Sequence, residues 1–299
     1  MHVLLTGAQG FIGRRIHQSL QAAGHTVRCG VSPRSAAGAT EAVPTDFARD
    51  TTAAAWLPRL AGIDAVVNAV GVLRDTASRP IDAVHRDTPI ALFDACAQAG
   101  VRRVVQISAL GVEHGNTRYA RTKRAADAHL LSLQAQGALS AAVVRPSIVF
   151  GRGGDSSALF MQLARLPVLS LPRPVLRAQV QPVVVGDLAD GVAALLGPHG
   201  SVQGTVVFTG PQALPLAAFI ASLRRQTGHG PARILALPDW LTQLSARAGD
   251  LVPVAPWCTE TLALLQQDNV GDAAALRGLI AREAVHPDHM VAAAWTREP

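Results

Sequence analysis

The sequence predicts an α/β fold: a Rossmann-type doubly wound parallel sheet, followed by a smaller and mostly helical C-terminal lobe. Three observations favour this fold. Short apolar runs alternate with segments of helical spacing through the first 150 residues, and a glycine-rich turn joins the first run to the first helical segment. The composition, 49% hydrophobic and 16% charged in 299 residues, supplies a large core. Alternation of this kind is typical of a parallel sheet covered on both faces.

The apolar runs give the strands and the periodic segments give the helices. Strands are predicted at residues 3–6, 26–31, 41–44, 65–71, 104–108 and 141–145. Helices are predicted at 11–23, 90–99 and 119–136, and each is followed by a glycine suited to a helix C-terminus, namely Gly24, Gly100 and Gly137. Ligands of such sheets bind at the carboxyl ends of the strands.

The pattern loosens after residue 150. Four prolines predict a loop at 166–182, and residues 183–188 turn from strand to helix with Asp187 as the N-cap. A further strand is expected at 205–208, and the chain from Pro215 onward is expected to be mostly helical. The predicted domains are therefore a Rossmann domain at 1–150, to which 183–210 returns, and a C-terminal lobe made of 151–182 and 211–299.

Composition excludes several classes of protein. The net charge is +6, but the arginines are scattered, which argues against nucleic-acid binding. The cysteines at 29, 96 and 258 lack metal or redox spacing and are expected to be buried thiols; no metal site is predicted. The chain starts directly on a strand, which leaves no room for a signal peptide, and no apolar run approaches a membrane span of about 18 residues. These features predict a soluble, cytoplasmic protein.

The turn after the first strand contains Gly7, Gly10 and Gly13. The first glycine permits a tight turn, the second lets the backbone approach a pyrophosphate at the helix N-terminus, and the third lets helix and strand pack closely. Three glycines at this spacing, between the first strand and the first helix, predict nucleotide binding rather than a purely structural turn.

The only tyrosine and the only lysine of the chain, Tyr119 and Lys123, lie four residues apart on a predicted helix. Residues at this spacing share a helix face, and an ammonium near a phenol favours the ionised phenol. Tyr119 is therefore a candidate general acid and base. The alternative is a solvated pair on a helix surface.

These motifs resemble the short-chain dehydrogenase/reductase superfamily. The resemblance rests on 6–13 (TGAQGFIG), 68–71 (NAVG), Tyr119 with Lys123, and 145–151 (RPSIVFG), the last of which fits the extended and atypical branches. Residues 108–111, 118–123 and 181–187 look more narrowly like the atypical group around the complex I 39 kDa subunit. The resemblance covers about residues 1–200.

The resemblance implies roles for individual residues. Tyr119 would exchange a proton with a carbonyl or alcohol substrate, Lys123 would bind the nicotinamide ribose, and Ser108 would polarise the carbonyl. The implied cofactor-binding residues are Gly7, Gly10, Phe11, Ile12, Gly13, Ser32, Arg34, Asp46, Phe47, Ala69, Val70, Gly71, Lys123, Pro146 and Ile148.

The end of the second strand favours NADP(H) over NAD(H), although NAD remains possible. It carries no carboxylate to bind a ribose 2′-hydroxyl, whereas Ser32 can donate a hydrogen bond and Arg34 or Arg28 can pair with a phosphate. In an arginine-rich chain these arginines can also be simply solvated. Asp46 and Phe47 resemble the acidic-plus-apolar pair that the superfamily uses to hold adenine.

Two positions depart from the superfamily pattern. When the sequence is aligned on the extended enzymes, the catalytic hydroxyl falls at Leu110, so that Ser108, Thr117 or no residue fills that role. The second departure is His85, which stands where extended members often carry asparagine. A structural hydrogen bond is the simplest role for His85. Two hypotheses follow: an NAD(P)-dependent oxidoreductase, or epimerase/dehydratase-like enzyme, using Tyr119, or a non-catalytic NADP(H)-binding accessory, assembly or regulatory protein.

The resemblance makes the C-terminal lobe the substrate lobe. Its polar candidates in the first segment are Asp155, Arg165, Arg173 and Arg177. Two tryptophan-bearing stretches, 235–241 and 252–257, are expected to pack in the core, with an apolar pocket, a partner or a membrane surface as the other uses. Association with a membrane periphery or a respiratory complex stays open, and the substrate and the oligomeric state are not readable from the sequence.

Overall fold

The computed structural model describes residues 1–33, 42–197, 202–251, 257–265 and 267–296. Its strands are β1 (His2–Thr6), β2 (Thr26–Val31), β3 (Ala42–Pro44), β4 (Ala65–Asn68), β5 (Arg103–Ile107), β6 (Ser140–Pro146), β7 (Val149–Phe150), β8 (Val168–Pro172), β9 (Gln179–Val180), β10 (Val183–Val184), β11 (Gly204–Phe208), β12 (Leu214–Pro215) and β13 (Arg233–Leu237). Its α-helices are α1 (Phe11–Ala22), α2 (Ala53–Trp56), α3 (Thr88–Ala99), α4 (Arg118–Ala135), α5 (Asp155–Arg165), α6 (Arg173–Arg177), α7 (Val185–Leu196), α8 (Leu216–Gln226), α9 (Asp239–Asp250), α10 (Thr259–Leu264), α11 (Ala274–Ile280) and α12 (Met290–Thr296).

Seven strands form the main sheet in the order β11-β6-β5-β4-β1-β2-β3, and the neighbours from β3 to β6 pair in parallel. The first six strands thus follow the Rossmann order, in which successive strands are added on one side of β1 up to β3 and on its other side from β4 onward. The crevice at the carboxyl ends of β1 and β4 is where such sheets bind ligands. The predicted doubly wound parallel fold is confirmed.

The sheet is buried on both faces. One face packs Leu4, Val66 and Val104 in a core with Trp56 of α2, Leu92 of α3 and Leu130 of α4. The residues that alternate with them along the strands are also fully buried, and α1, which buries Ile16 and Leu20, contacts β1. The continuous apolar strands seen in the sequence reflect this double burial.

The chain forms two compact units. The first comprises Met1–Arg145 and Ala189–Val206, and the second comprises Pro146–Leu188 and Val207–Pro299. In the second unit the short strands pair as β7 with β10, β9 with β12 and β8 with β13, and its core is built around Phe150 and Phe219. The domain limits and the substrate-binding role assigned to the C-terminal lobe stay predictions.

The segment 166–182 is not the loop that its prolines predict. It forms β8, α6 and β9, because Pro167 precedes β8, Pro172 is its last residue and Pro174 lies in the first turn of α6. Proline is compatible with strand ends and with the first helical turn, where its missing N–H group costs little.

Asp187 is not an N-cap, since α7 already begins at Val185. Its fully buried carboxylate instead accepts a hydrogen bond from the Val285 N–H (2.7 Å) and pairs with Arg282 (2.7 Å).

No sequence pattern indicated the π-helical turn Ala83–Asp87 that leads into α3. Of the three cysteines, Cys96 and Cys258 are buried and Cys29 is half-buried. Among the described residues, no helix combines the length and apolarity needed to cross a membrane.

Candidate functional site

The glycine turn between β1 and α1 leaves no room for side chains. Gly7 has a φ of +74°, and a Cβ there would lie 2.9 Å from the Ala69 carbonyl carbon. A Cβ on Gly13 would lie 2.0 Å from the Gly7 carbonyl oxygen, which also accepts the Gly10 N–H (2.9 Å). Because α1 begins at Phe11, the N–H groups of its first turn have no partner within the helix and form an anion-binding end.

The end of β4 is held beside this turn by a buried polar ladder. The Thr6 hydroxyl donates to Asn68 Oδ1 (2.6 Å), and Asn68 Nδ2 donates to Gln106 Oε1 (2.8 Å). Asn68 Oδ1 also accepts the Val70 N–H (3.3 Å), which shapes the turn that follows the strand. The ladder crosses β1, β4 and β5 at their carboxyl ends and fixes the predicted Ala69–Gly71 segment next to Gly7.

Lys123 projects from α4 into the same edge of the sheet. Its Nζ donates to the Ile107 carbonyl (3.0 Å) and to the Val70 carbonyl (3.4 Å), and only 3% of the residue is exposed. A Cβ on Gly71 would lie 3.4 Å from this Nζ. Burial lowers the pKa of Lys123 to about 8, against the opposing effect of the Asp127 carboxylate.

Tyr119 lies one turn before Lys123, against the buried His85. The two rings meet edge to face, with centroids 5.1 Å apart. His85 Nε2 accepts the Val72 N–H (2.9 Å), so the neutral ring carries its proton on Nδ1, 3.3 Å from the Thr122 hydroxyl oxygen. Burial, reinforced by the charge of Lys123, lowers the pKa of His85 to about 2. His85 is therefore a neutral support for Tyr119 and for the loop after β4.

The hydroxyl of Ser108 is engaged within the protein by a buried carboxylate. Its Oγ donates to Asp127 Oδ2 (2.6 Å), and Arg145 lies 3.4 Å from the same carboxylate oxygen. Burial raises the pKa of Asp127, while Ser108, Lys123 and Arg145 oppose that shift. Of the other candidate hydroxyls, Thr117 caps α4 by accepting the Ala120 N–H (3.1 Å).

The ends of β2 and β3 lie together. The Thr45 N–H donates to the Val31 carbonyl (2.8 Å), which places Asp46 beside the chain that leaves β2 at Ser32. Asp46 accepts the Ala48 N–H (3.0 Å), and Phe47 is buried edge-on against Trp56. Arg34 lies outside the described residues. Arg28, its alternative, lies in the middle of β2 and donates to the Ala61 carbonyl (3.2 Å).

The first unit thus brings together the glycine turn, Ala69–Gly71, Lys123 and Tyr119, with Ser32 and Asp46 at the neighbouring strand ends. The two remaining cofactor candidates, Pro146 and Ile148, belong to the second unit. Pro146 is the last residue of β6, and the Ile148 carbonyl accepts the Val183 N–H (2.9 Å).

Two features of the site were missed in the sequence. Asp127, which captures the Ser108 hydroxyl, follows Lys123 by four residues, so the helical spacing that singled out Tyr119 could have found it. Arg118 binds both Asp75 and Asp82 and thereby ties the loop after β4 to the start of α4. No local sequence signal connects these three residues, which lie up to 43 positions apart.

The glycine turn fits the pyrophosphate of a dinucleotide, because Gly7 and Gly13 let the turn pack directly against α1 and the segment after β4, and the first N–H groups of α1 are then available to an anion. In the described part of the chain, no group of three or more His, Cys, Asp or Glu side chains could hold a metal ion.

Comparison with known proteins agrees with this geometry. Residues 3–207 match the model of the family described as "NAD dependent epimerase/dehydratase family". Mouse NADH dehydrogenase [ubiquinone] 1 alpha subcomplex subunit 9, mitochondrial, is 25% identical over 202 residues, which cover 65% of this chain and 51% of that protein. A ceramide reductase of Caulobacter vibrioides is 29% identical over 201 residues, covering 65% of this chain and 59% of that protein. The chain spans about half the length of these curated relatives.

Solved structures share the fold along the whole chain. The NADPH-dependent quinone oxidoreductase of Escherichia coli, solved with NADPH, superposes with a TM-score of 0.72. It is 16% identical, and the match covers 97% of this chain and 99% of the other. The predicted resemblance to the short-chain dehydrogenase/reductase superfamily, and to the complex I subunit group within it, is confirmed.

Proposed function

The chain belongs to the NAD dependent epimerase/dehydratase family, and on this premise we propose that it is an NADP(H)-dependent oxidoreductase that uses Tyr119 as its acid and base. One observation carries the proposal: Tyr119 is seated against His85, one helical turn from Lys123, whose amine is buried at the strand edge beside the glycine turn. In a solvated pair on a helix surface the lysine would be exposed, whereas Lys123 is only 3% exposed.

The buried ammonium of Lys123 is the electrostatic element of the proposed site. Its two carbonyl contacts hold the amine at the end of β5, where a third N–H bond is available to a ribose hydroxyl. With a pKa of about 8, the amine stays predominantly protonated at neutral pH. A positive charge on the same helix face favours the ionised form of the Tyr119 phenol, which is the form that accepts a proton from an alcohol.

Tyr119 is then the principal donor to a substrate carbonyl. Ser108 can polarise a carbonyl only by donating its proton, and that proton is engaged by Asp127. The side chain of Leu110 carries no polar group at the position where the extended enzymes carry a hydroxyl. The bound nicotinamide would supply or accept the hydride, and the protein would bind, orient and exchange the proton at Tyr119 Oη.

NADP(H) is the preferred cofactor in this proposal. The chain leaves β2 at the exposed Ser32 with no carboxylate to repel a 2′-phosphate, and Arg34 follows two residues later. The substrate is a carbonyl or an alcohol. Because one relative is a ceramide reductase, long-chain ketones are the first substrates to test. Nucleotide sugars, in an epimerase or dehydratase reaction, are the second.

Replacement of Tyr119 by Phe tests the catalytic role. We expect turnover of a carbonyl substrate, followed by NADPH oxidation, to fall roughly 10²- to 10⁴-fold, as is usual when a general acid is removed. NADPH affinity, followed by nicotinamide fluorescence, should remain unchanged. Ser132→Ala removes a hydroxyl from an exposed position of the same helix and should leave both readouts at the wild-type level. Equal turnover in Tyr119→Phe and the wild type would contradict the proposal.

A non-catalytic NADP(H)-binding protein is the second candidate. The observation that favours it is the engaged Ser108 hydroxyl together with Leu110, since the usual carbonyl-polarising group is missing. Because one relative is a complex I subunit, the non-catalytic role to test is that of an accessory or assembly protein, including association with a respiratory complex. Tight NADPH binding without turnover of any ketone, alcohol or nucleotide sugar would favour this candidate. The cytoplasmic location remains a proposal under either candidate.

A further inference from the structure

Helix α9 presents an apolar stripe to solvent. Trp240 and Leu244 are 68% and 58% exposed, and Leu251, which directly follows the helix and continues its backbone conformation, is 84% exposed. At 3.6 residues per turn these three positions lie within about 40° of one another on the helix surface. The buried residues of the helix, Thr242 and Ala246, lie on the opposite face. A surface helix ordinarily shows the reverse arrangement, with its large apolar residues facing the core.

The strand that leads into α9 also exposes large apolar side chains. Ile234 and Leu235 of β13 are 46% and 55% exposed, and one residue, Pro238, separates the strand from the helix. β13 pairs with β8, whose first residue, Val168, is 44% exposed. The sequence predicts the stretch 235–241 to pack in the core, and for Leu235 and Trp240 that prediction is wrong.

Arginines accompany these apolar side chains. Arg247 lies within the α9 stripe, and Arg233 begins β13 opposite Val168. Arg173, at the start of α6, pairs with Asp239 at the start of α9 (4.0 Å). Asp250 at the other end of α9 accepts two hydrogen bonds from Thr259. The two acids of the helix are thus engaged, whereas Arg247 is an exposed cation within the stripe and Arg233 is an exposed cation at the start of the strand that leads into the helix.

We propose that this surface, which we call the α9 face (Trp240, Leu244, Leu251, Arg233 and Arg247), docks on the surface of an anionic lipid bilayer. A helix with tryptophan and leucine on one stripe and arginine beside it is suited to the boundary between head groups and acyl chains. Tryptophan prefers this boundary, and each arginine near an anionic leaflet strengthens attachment.

Charge favours a bilayer over a second copy of the chain as the occupant. In a twofold interface the same patch meets itself, so that the arginines of one α9 face would oppose those of the other. Like charges in such a contact oppose association, whereas phosphate head groups neutralise them. The whole chain, with a net charge of +6, is attracted to the same kind of surface.

Vesicle flotation of the full chain tests this proposal, with vesicles of phosphatidylcholine alone or with about 30% phosphatidylglycerol, a content that gives a strongly negative surface. We expect the protein to float with the anionic vesicles only, and less so as salt is raised. Trp240→Ser with Leu244→Ser should reduce the partition coefficient at least roughly tenfold. Arg233→Gln with Arg247→Gln should reduce it by roughly fivefold per arginine.

The matched control is Arg79→Gln with Arg102→Gln, which removes two exposed arginines from the first unit and should bind vesicles almost as the wild type does. Equal losses in the control and the α9 pair, or equal flotation with neutral vesicles, would overturn the proposal. So would a dimer in light scattering that Trp240→Ser with Leu244→Ser dissociates, since a second copy would then cover the face. NADPH binding, measured in parallel, separates this result from the proposed catalytic function.

Discussion

At the scale of single residues, spacing along the sequence predicts contacts within one helix but not the partners that reach it from elsewhere. Four-residue spacing singles out Tyr119 and Lys123 from the sequence alone. The same spacing does not reveal that Lys123 binds the carbonyls of Val70 and Ile107, because those contacts depend on the packing of α4 against two strand ends. For the same reason a role for His85 beyond a structural hydrogen bond could not be assigned from the sequence.

His85→Phe should destabilise the protein, because it retains a ring against Tyr119 but removes the acceptor of the Val72 N–H. We expect the free energy of unfolding near pH 8 to fall by about 1–3 kcal/mol, the usual cost of leaving a buried polar group without its partner. His129→Phe removes a partly exposed histidine paired with Asp94 and should cost less, about 0.5 kcal/mol. Denaturant titration measures both variants.

The deficit of His85→Phe should shrink as the pH falls. The pKa of His85 is about 2 in the folded protein, whereas an unfolded histidine titrates near 6.5. Below that value the unfolded wild type takes up a proton that the folded state does not, so wild-type stability falls with the pH by up to about 1.4 kcal/mol per unit. The phenylalanine variant lacks this contribution. A deficit that stays constant between about pH 5 and pH 8 would show that His85 is not buried as a neutral ring.

At the scale of elements, structure that depends on the local backbone geometry could be predicted from the sequence. Structure that depends on which distant strand pairs with a segment could not. The glycine turn could be assigned because glycine is required there by close contacts within the turn itself. The prolines of 166–182 misled because proline excludes the interior of an element but is compatible with its ends. Distinguishing these cases requires knowing which strand pairs with β8, and that partner, β13, lies more than 60 residues away.

Gly13→Ala should abolish NADPH binding, because the added Cβ would lie 2.0 Å from the Gly7 carbonyl oxygen and force α1 away from the turn. Gly24→Ala is the matched control. Gly24 also has a positive φ, +80°, but a Cβ there meets no atom within 4 Å. The control should lose about 1–2 kcal/mol of stability through backbone strain and retain its NADPH affinity. Fluorescence titration of both variants tests this, and tight NADPH binding by Gly13→Ala would show that the turn does not cradle the pyrophosphate.

At the scale of the whole molecule, the alternation of apolar runs and helices, together with the glycine turn after the first run, was enough to predict a Rossmann-type doubly wound parallel sheet. Strand sequences that are apolar throughout indicate burial on both faces whatever covers them. Which face of a helix is exposed could not be predicted in the same way. Trp240 and Leu244 have the periodicity of a core-facing stripe, yet they face solvent, because periodicity shows that a stripe exists but not which neighbour covers it.

Cofactor preference can be read from the stability of the whole molecule. A ligand that binds only the folded state stabilises it by about 2.7 kcal/mol at one hundred times its dissociation constant. For a chain of 299 residues we expect NADPH at that concentration to raise Tm by roughly 4 °C, and NADH at the same concentration to raise it less. Ser32→Asp places a carboxylate where the chain leaves β2 and should reverse the order of the two shifts, because the carboxylate accepts a ribose 2′-hydroxyl and repels a 2′-phosphate.

Ser132→Asp adds the same charge to an exposed position of α4 and should leave the order unchanged. If NADPH and NADH shift Tm equally in the wild type and in Ser32→Asp, the end of β2 does not read the 2′-position. The choice of cofactor would then rest on other residues of the fold.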